Sequence, residues 1–311
     1  MAPLIKGNVK VYASTDPDAI PEDVPVAMAD ISDLKMTIIT NDPAKRYYYT
    51  LLFGDKYRVK IATRNVNIPG IQNFRDLGGY PSYSTKKQVR WGMIYRSAEI
   101  DSLECYSRRE LRNLGIKTLI DLRTSSETGR QSPLQKEFNV VHIPLATGDM
   151  ENILKGIREE KIKSDTVYRM VEQMNRDLID KYTTEYRQIF DILLDKNSYP
   201  VVIHCSSGKG RTGIVSALVL AALGINEDII MEDYRLSNDY FNIPSASKDA
   251  YQLPARSQEA ITTLFSARED FLNAAKEEAE CRYGDIDTYL QKGIGLNKNE
   301  IKRLRSILLS D

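Results

Sequence analysis

A short apolar run, a polar loop rich in glycine and a longer apolar run follow one another between residues 199 and 223, and this order restricts the fold more than any other feature. The first run, 199–204, is short and β-branched, as is typical of a buried parallel strand. The second, 213–223, is long enough for a helix. Similar short runs lie at 117–122 and 140–145, with helical patterns between the runs. Strands that alternate with helices predict an α/β fold with a mainly parallel sheet flanked by helices.

The loop between this strand and this helix has the composition of an anion-binding site. Backbone N–H groups of a tight, glycine-bearing loop can converge on one anion, and the positive N-terminal end of the following helix points to the same place. Arg211 adds a planar fork that can bind two phosphate oxygens at once. The sequence therefore predicts a phosphate-binding loop that contains Ser206, Ser207, Gly208, Lys209, Gly210 and Arg211.

Cys205 stands at the start of the loop, where a thiol becomes reactive. A helix N-terminus and cationic neighbours lower thiol pKa values to roughly 3.5–7.5, and the thiolate is the nucleophile. Attack on phosphorus would give a phosphocysteine intermediate that water hydrolyses. Thr212 is placed to hydrogen-bond the departing sulfur, and His204 is expected to orient the loop. A cysteine before a helix is usually just a small hydrophobic residue, and this simpler interpretation is kept for Cys105 and Cys281.

Composition excludes several other classes of function. Lys+Arg and Asp+Glu both total 43, so the formal net charge is zero, which argues against general nucleic-acid binding. Three scattered cysteines and two histidines predict neither a metal site nor a disulfide framework, and no cofactor is expected. No apolar run approaches the ~18 residues of a membrane span. The first residues lack a signal-peptide pattern, so the protein is either cytoplasmic or exported with its signal removed. The oligomeric state stays open.

Residues 1–65 differ in their pattern of apolar and polar residues from the rest of the chain. Alternating stretches lie at 9–12, 36–39, 47–52 and 56–61, and turn residues separate them. Short alternating strands that are separated by turn residues predict a small antiparallel β domain with a β-sandwich-like arrangement. About sixty residues form a marginal core alone, so this module is expected to support or dock on the domain 66–311.

Several segments besides the loop resemble the bacterial tyrosine/lipid phosphatase family of the protein tyrosine phosphatase superfamily. They are 73–79 (NFRDLGG), 95–99 (YRSAE), 121–123 (DLR) and 233–238 (DYRLSN). The resemblance implies a sheet flanked by helices, no metal and a helical lid over the site, and residues 150–185 lie where such a lid would be inserted. It also implies a hydrolase for phosphotyrosine proteins, with dual specificity or phosphoinositide activity in several members.

The loop departs from the usual pattern of this family at one position. The family often has Lys-Asp-Arg, whereas this chain has Lys209, Gly210 and Arg211. The missing carboxylate predicts a more positive pocket, and the loop is also similar to that of phosphoinositide 3-phosphatases. Lys209 is therefore expected either to contact a second phosphate, which favours phosphoinositide or inositol phosphate substrates, or only to attract anions.

Three aspartates are candidates for the general acid that protonates the leaving group. Asp121 closes the run 117–120, at the carboxyl end of a strand where active sites of such sheets lie, and the resemblance gives it this role. Asp149 follows the run 140–145, where other members of the superfamily carry a mobile acid loop. Asp76 is the third candidate and is also expected to bind substrate, although it could instead only brace the phosphate loop. Arg123, Glu127, Asp233 and Asn238 are equally well explained as ion pairs and caps.

Two functions compete with an active phosphomonoesterase. A pseudophosphatase would bind phosphate without turnover, but such proteins usually lose one of the residues Cys205, Lys209, Arg211 and Thr212, which are all present here. A rhodanese-like protein would transfer sulfur on the same thiolate. Rhodanese-like loops usually lack the Arg-Thr-Gly ending at 211–213, so phosphate ester hydrolysis is the favoured function.

Overall fold

The computed structural model of the chain describes residues 6–39, 45–101, 103–128, 133–247 and 249–310. Its strands are β1 (Asn8–Ser14), β2 (Ala27–Asp30), β3 (Tyr48–Phe53), β4 (Tyr57–Ala62), β5 (Arg75–Asp76), β6 (Pro81–Ser82), β7 (Lys87–Val89), β8 (Ile94–Ser97), β9 (Thr118–Asp121), β10 (Asn139–His142), β11 (Val201–His204) and β12 (Leu309–Ser310). Its helices are α1 (Cys105–Asn113), α2 (Ser125–Thr128), α3 (Met150–Arg158), α4 (Ser164–Lys181), α5 (Thr183–Leu193), α6 (Gly210–Ala222), α7 (Glu227–Arg235), α8 (Ser237–Tyr240), α9 (Ile243–Ala246), α10 (Ala255–Phe265), α11 (Glu269–Tyr283), α12 (Ile286–Thr288) and α13 (Lys298–Leu308).

The central sheet has five strands in the order β10-β9-β11-β8-β5. Four are parallel, and only the short edge strand β5 is antiparallel. The middle strand, β11, is buried along its whole length. Val201 and Ile203 pack on one side with residues of α5 and α6, whereas Val202 packs on the other with Leu119 and Leu111. Helices on both faces explain why this strand is apolar throughout rather than alternating, and they confirm the predicted α/β fold.

The described residues of the N-terminal segment form a separate antiparallel sheet in the order β2-β1-β3-β4. The alternating stretches at 9–12, 47–52 and 56–61 correspond to β1, β3 and β4, so the small antiparallel module is confirmed. The prediction of a strand at 36–39 is wrong. A 3₁₀ turn, Ile31–Asp33, follows β2, and the chain leaves the sheet before it reaches residue 36. The described residues contain a single sheet here, so the sandwich-like description is also corrected.

The described chain carries a second group of helices that packs against the carboxyl ends of the parallel strands. Helices α3, α4, α10 and α11 share their own apolar cluster, which includes Ile157, Val167, Ile261 and Phe271. The helices expected in 165–195 are α4 and α5, and those expected at 257–283 and 298–309 are α10, α11 and α13. Among the described residues, no helix combines the length and the hydropathy that a membrane crossing requires.

Candidate active site

The predicted phosphate loop lies at the carboxyl end of β11. It follows His204, and α6 begins at Gly210 rather than at 213, so the loop leads directly into the helix N-terminus. The neighbouring strands end beside it, because His204 is in register with Asp121 of β9 and Ser97 of β8. This is the edge of a parallel sheet at which ligands bind.

Carbonyl groups of the loop are held by side chains outside it. Asn73 Nδ2 donates to the carbonyl oxygens of Ser207 at 3.2 Å and Gly208 at 3.1 Å. Arg96 Nη2 donates to the same Gly208 oxygen at 2.8 Å. Arg96 is itself fully buried and is neutralised by Asp233, whose Oδ2 lies 2.5 Å from Arg96 Nη1. The loop is therefore fixed by a buried polar network rather than by loop residues alone.

The backbone at Gly208 requires glycine. Its φ is +66°, and a Cβ at this position would lie 2.4 Å from the carbonyl of Ser97. With the carbonyls turned outward, the N–H groups of Gly208 and Thr212 are directed at the sulfur of Cys205. This orientation matches the anion nest that the sequence predicts.

Cys205 has the surroundings of a reactive thiol. Its side chain is buried, and burial alone would raise the pKa of the thiol. The charge of Arg211, the hydroxyl of Thr212 and the N–H groups of Thr212 and Gly208 outweigh burial and lower the pKa below its ordinary value. The Thr212 hydroxyl has no oxygen or nitrogen partner in the described part of the chain. It is thus available to the sulfur.

Arg211 is held in place by Glu127. The two Nη atoms of the guanidinium lie 2.7 Å from the two carboxylate oxygens of Glu127. The Ser206 hydroxyl donates to Glu127 Oε1 at 2.7 Å and accepts from Arg211 Nη2 at 3.1 Å. Burial acts to raise the pKa of Glu127, but Arg211 overcomes it and lowers this pKa to about 2. The carboxylate is therefore ionised at neutral pH and fixes the arginine side chain at the loop.

Lys209 is buried, and its ammonium group is bound to a neighbouring helix end. The Nζ atom donates to the carbonyl oxygens of Leu264 at 2.7 Å and Ser266 at 3.0 Å, at the C-terminal end of α10. The side chain also lies against the ring of Phe271, at 5.8 Å from Nζ to the ring centroid. Two of its three donors are used within the protein, and the side chain also lines the cavity beside Cys205, so the contact with a second phosphate stays a prediction.

A cavity of about 70 Å³ lies against the loop, with Cys205, Ser207, Lys209, Gly210 and Arg211 in its wall. The rest of the wall is largely apolar and comes mainly from α3, α4 and α10: Thr147, Met150, Val171, Met174, Asn175, Leu178, Leu264 and Phe265. Pockets that hold a whole small-molecule ligand typically measure roughly 300–1,000 Å³. At about 70 Å³, this cavity would hold an oxyanion beside the thiol but not an aryl phosphate with its ring.

Asp121 is buried in an ion pair and does not line this cavity. Arg123 donates to its carboxylate through the backbone N–H, Nε and Nη2, the last at 2.8 Å. Burial favours protonation, but the hydrogen bonds from Arg123 outweigh it and lower the pKa of Asp121. The closest approach of the buried His204 ring to this carboxylate is 3.8 Å. The expected orienting hydrogen bond of His204 is not seen at Nδ1, which has no partner within the described residues.

Asp149 lies beside the cavity. It is exposed and caps α3, where its carboxylate accepts from the backbone N–H of Asn152 at 3.0 Å and from Asn152 Nδ2 at 2.5 Å. Both Met150, which follows it, and Thr147, which precedes it by two positions, line the cavity. Asp149 therefore belongs to the segment that borders the thiol.

Asp76 does not belong to the loop. It is fully buried in β5 and accepts from the N–H groups of Gly78 and Gly92, both at 2.7 Å. Its Oδ2 also lies 2.8 Å from Arg46 Nη1, a residue of the N-terminal module. The expectation that Asp76 binds substrate or donates a proton is wrong, because its lone pairs are directed at these partners.

Comparison with known proteins agrees with this geometry. The model of a tyrosine phosphatase family matches residues 66–310. The chain belongs to this family. The triple specificity protein phosphatase PtpB of Mycobacterium tuberculosis is 30% identical over 285 residues, which cover 78% of this chain and 98% of PtpB. A Cupriavidus necator protein whose name also places it among tyrosine-protein phosphatases is 25% identical over 75% of this chain and 85% of its own length. The crystal structure of TpbA from P. aeruginosa matches with 15% identity over 57% of this chain and 89% of its own, at a TM-score of 0.26.

The sequence did not predict that three residues, Asn73, Arg96 and Glu127, hold the phosphate loop in place. Glu127 had no stronger interpretation than a structural ion pair, and Asn73 and Arg96 were noted only within family-like segments. A buried arginine such as Arg96 requires a partner of opposite charge, but its burial cannot be recognised from the sequence alone. The position of Glu127, shortly after a strand that ends at the loop, was the only available signal.

Proposed function

We propose that this phosphatase hydrolyses aryl phosphate monoesters of the phosphotyrosine type through a phosphocysteine intermediate. The observation that carries the proposal is the buried Cys205, whose pKa is lowered by Arg211 and by loop N–H groups. The same thiol borders a cavity with apolar walls. The largely apolar wall favours an aromatic leaving group, whereas a multiply phosphorylated ring would need cations beyond Arg211 and the carbonyl-bound Lys209.

In the first step the Cys205 thiolate attacks phosphorus, the P–S bond forms and the P–O bond to the leaving group breaks. Charge on the phosphoryl oxygens is stabilised by loop N–H groups and by Arg211. Because Glu127 occupies both Nη atoms, the phosphoryl group would meet the guanidinium along its Nε edge. In the second step water attacks phosphorus and the P–S bond breaks. The Thr212 hydroxyl stabilises the departing thiolate, and inorganic phosphate leaves.

We assign the proton donor to Asp149 rather than to Asp121. Asp121 is bound to Arg123 with a lowered pKa, so it is held ionised and turned to another partner. Asp149 is exposed, and its loop borders the cavity. A donor needs only to come within hydrogen-bonding reach in the substrate complex, and such contacts are often incomplete without substrate.

Asparagine replacements at the two positions separate these roles. Asp149→Asn is expected to lower kcat for a phosphotyrosine peptide about 10²-fold, and to have little effect on an aryl phosphate whose phenol is strongly acidic. Asparagine is itself a good N-cap, so α3 should remain stable. Asp121→Asn is the matched control and should reduce stability without changing the dependence on the leaving group. The opposite pattern in steady-state kinetics would transfer the acid role to Asp121.

The cavity is too small for an aryl group. We therefore propose that α3 and α4 act as the helical lid expected for 150–185 and move apart to admit substrate. The helices contribute Met150, Val171, Met174 and Leu178 to the wall. Displacement of this wall would uncover Cys205 without disturbing β11 or the start of α6.

Substrate class is tested by phosphate release from a phosphotyrosine peptide, a phosphoserine peptide, phosphoinositides and inositol hexakisphosphate. We expect the highest kcat/KM for the phosphotyrosine peptide, with Cys205→Ser as the blank. Preference for the multiply phosphorylated inositols would contradict the aryl proposal. Release from none of them would contradict phosphatase activity on these classes.

A further inference from the structure

The phosphate loop contains two cationic residues, Arg211 and Lys209. The ammonium group of Lys209 donates hydrogen bonds to two backbone carbonyl oxygens. Nζ donates to Leu264 at 2.7 Å and to Ser266 at 3.0 Å. These carbonyls belong to the last turn of α10 and to its C-cap residue. The C-terminal end of a helix carries unsatisfied carbonyls and partial negative charge, so it is a suitable acceptor for an ammonium group.

The same helix end forms part of the active-site wall. Leu264 and Phe265 both line the cavity beside Cys205, and the Phe265 ring stacks on Phe241 with centroids 5.6 Å apart. Lys209 thus connects the loop that binds phosphate to the two side chains that would contact the rest of the substrate.

A second tie holds the same junction from another direction. Asn238 Nδ2 donates to the carbonyl of Ala267 at 3.0 Å, and its Oδ1 accepts from the Ala267 N–H at 2.7 Å. Asn238 follows α7 and lies outside the phosphate loop. The short break between α10 and α11 is therefore fixed on one side by the loop and on the other by α8.

Resting on the proposed function, we propose that Lys209 is a positioning residue: it ties the phosphate loop to the end of α10 and so places Leu264 and Phe265 against the aryl group of the substrate. It is not a ligand for a second phosphate. Burial lowers the pKa of Lys209, to about 7, while its two carbonyl acceptors favour the charged form. A group in these surroundings is suited to hold two carbonyls, and only its third donor is left for the cavity that it lines beside Cys205.

Lys209→Met keeps the length and the apolar stem of the side chain and removes its donors. Hydrogen bonds to charged groups are among the stronger ones, so we expect KM for a phosphotyrosine peptide to rise about tenfold, with kcat changed by less than about threefold. The affinity for orthovanadate, measured by calorimetry, should stay within about twofold of wild type. Hydrogen exchange of the amides at 262–268 should become faster.

Asn238→Ala is the matched variant, because it loosens the same junction without touching the loop. It should reproduce the faster exchange and the higher KM for the aryl substrate. If Lys209→Met instead weakens orthovanadate binding about tenfold, Lys209 contacts phosphate directly and the positioning role is wrong. Unchanged exchange at 262–268 would also overturn the proposal. Orthovanadate affinity and hydrogen exchange need no turnover, so they test the tie even if wild type releases no phosphate, an outcome that would contradict only the proposed function.

Discussion

Cys205→Ser is expected to abolish turnover, with a loss on the order of 10⁴-fold or more in kcat, while a phosphotyrosine peptide still binds. A serine hydroxyl at this position is not ionised at neutral pH and is a much weaker nucleophile than a thiolate. The anion site itself does not depend on the sulfur, because Arg211 is held by Glu127 and the loop carbonyls by Asn73. Phosphate release and calorimetric peptide binding are the two measurements.

Alkylation gives an independent check on the thiolate. The rate at which iodoacetamide modifies Cys205 should rise with pH and reach its midpoint below the ordinary thiol pKa, since the pKa of this group is lowered. Cys105 and Cys281 are exposed, free thiols in the same molecule, and mass spectrometry of the resolved peptides separates their modification from that of Cys205. Substantial activity in Cys205→Ser, or a midpoint for Cys205 at or above the ordinary thiol pKa, would contradict the mechanism.

The parts of the fold that could be predicted are those in which one physical requirement dominates the sequence. β9 and β11 are buried along their whole length and the edge strand β10 is only partly buried, but the apolar runs around all three are visible in the sequence. β8 was not identified as a strand because it contains Arg96, whose charge is neutralised by Asp233 from α7. The pairing of two charges far apart in sequence is a property of the folded chain, and no local pattern contains it.

The candidate site was likewise predicted only in part. A loop that binds phosphate has a local signature, since Cys205, Gly208 and Arg211 act within one short segment. The direction of a long flexible side chain has no such signature. Lys209 was expected either to contact a second phosphate or only to attract anions, and its ammonium group binds carbonyls at the end of α10. The choice between Asp121 and Asp149 likewise depended on which carboxylate is already occupied by an arginine.

The role of residues 1–65 can be argued from one buried contact. Arg46 lies in this segment, and its Nη1 is 2.8 Å from both Asp76 Oδ2 and the Tyr95 hydroxyl. The guanidinium also lies over the ring of Tyr48, 4.8 Å from its centroid. Asp76 and Tyr95 are fully buried in the central sheet. We therefore propose that the described residues of this segment, 6–39 and 45–65, form a permanently docked unit that completes the core of the phosphatase domain.

Arg46→Met is expected to lower the free energy of unfolding by about 3–5 kcal/mol, because removal of one partner leaves the Asp76 carboxylate buried without a counter-charge. Arg58→Met is the matched control in the same module. Arg58 pairs with Glu22 at 3.0 Å, but 56% of its side chain is exposed, so its loss should barely change the free energy of unfolding. Urea titration of both variants followed by circular dichroism measures the difference. Equal, small losses would mean that the module is only loosely attached, whereas a large loss confined to Arg46→Met would make it an integral part of the phosphatase.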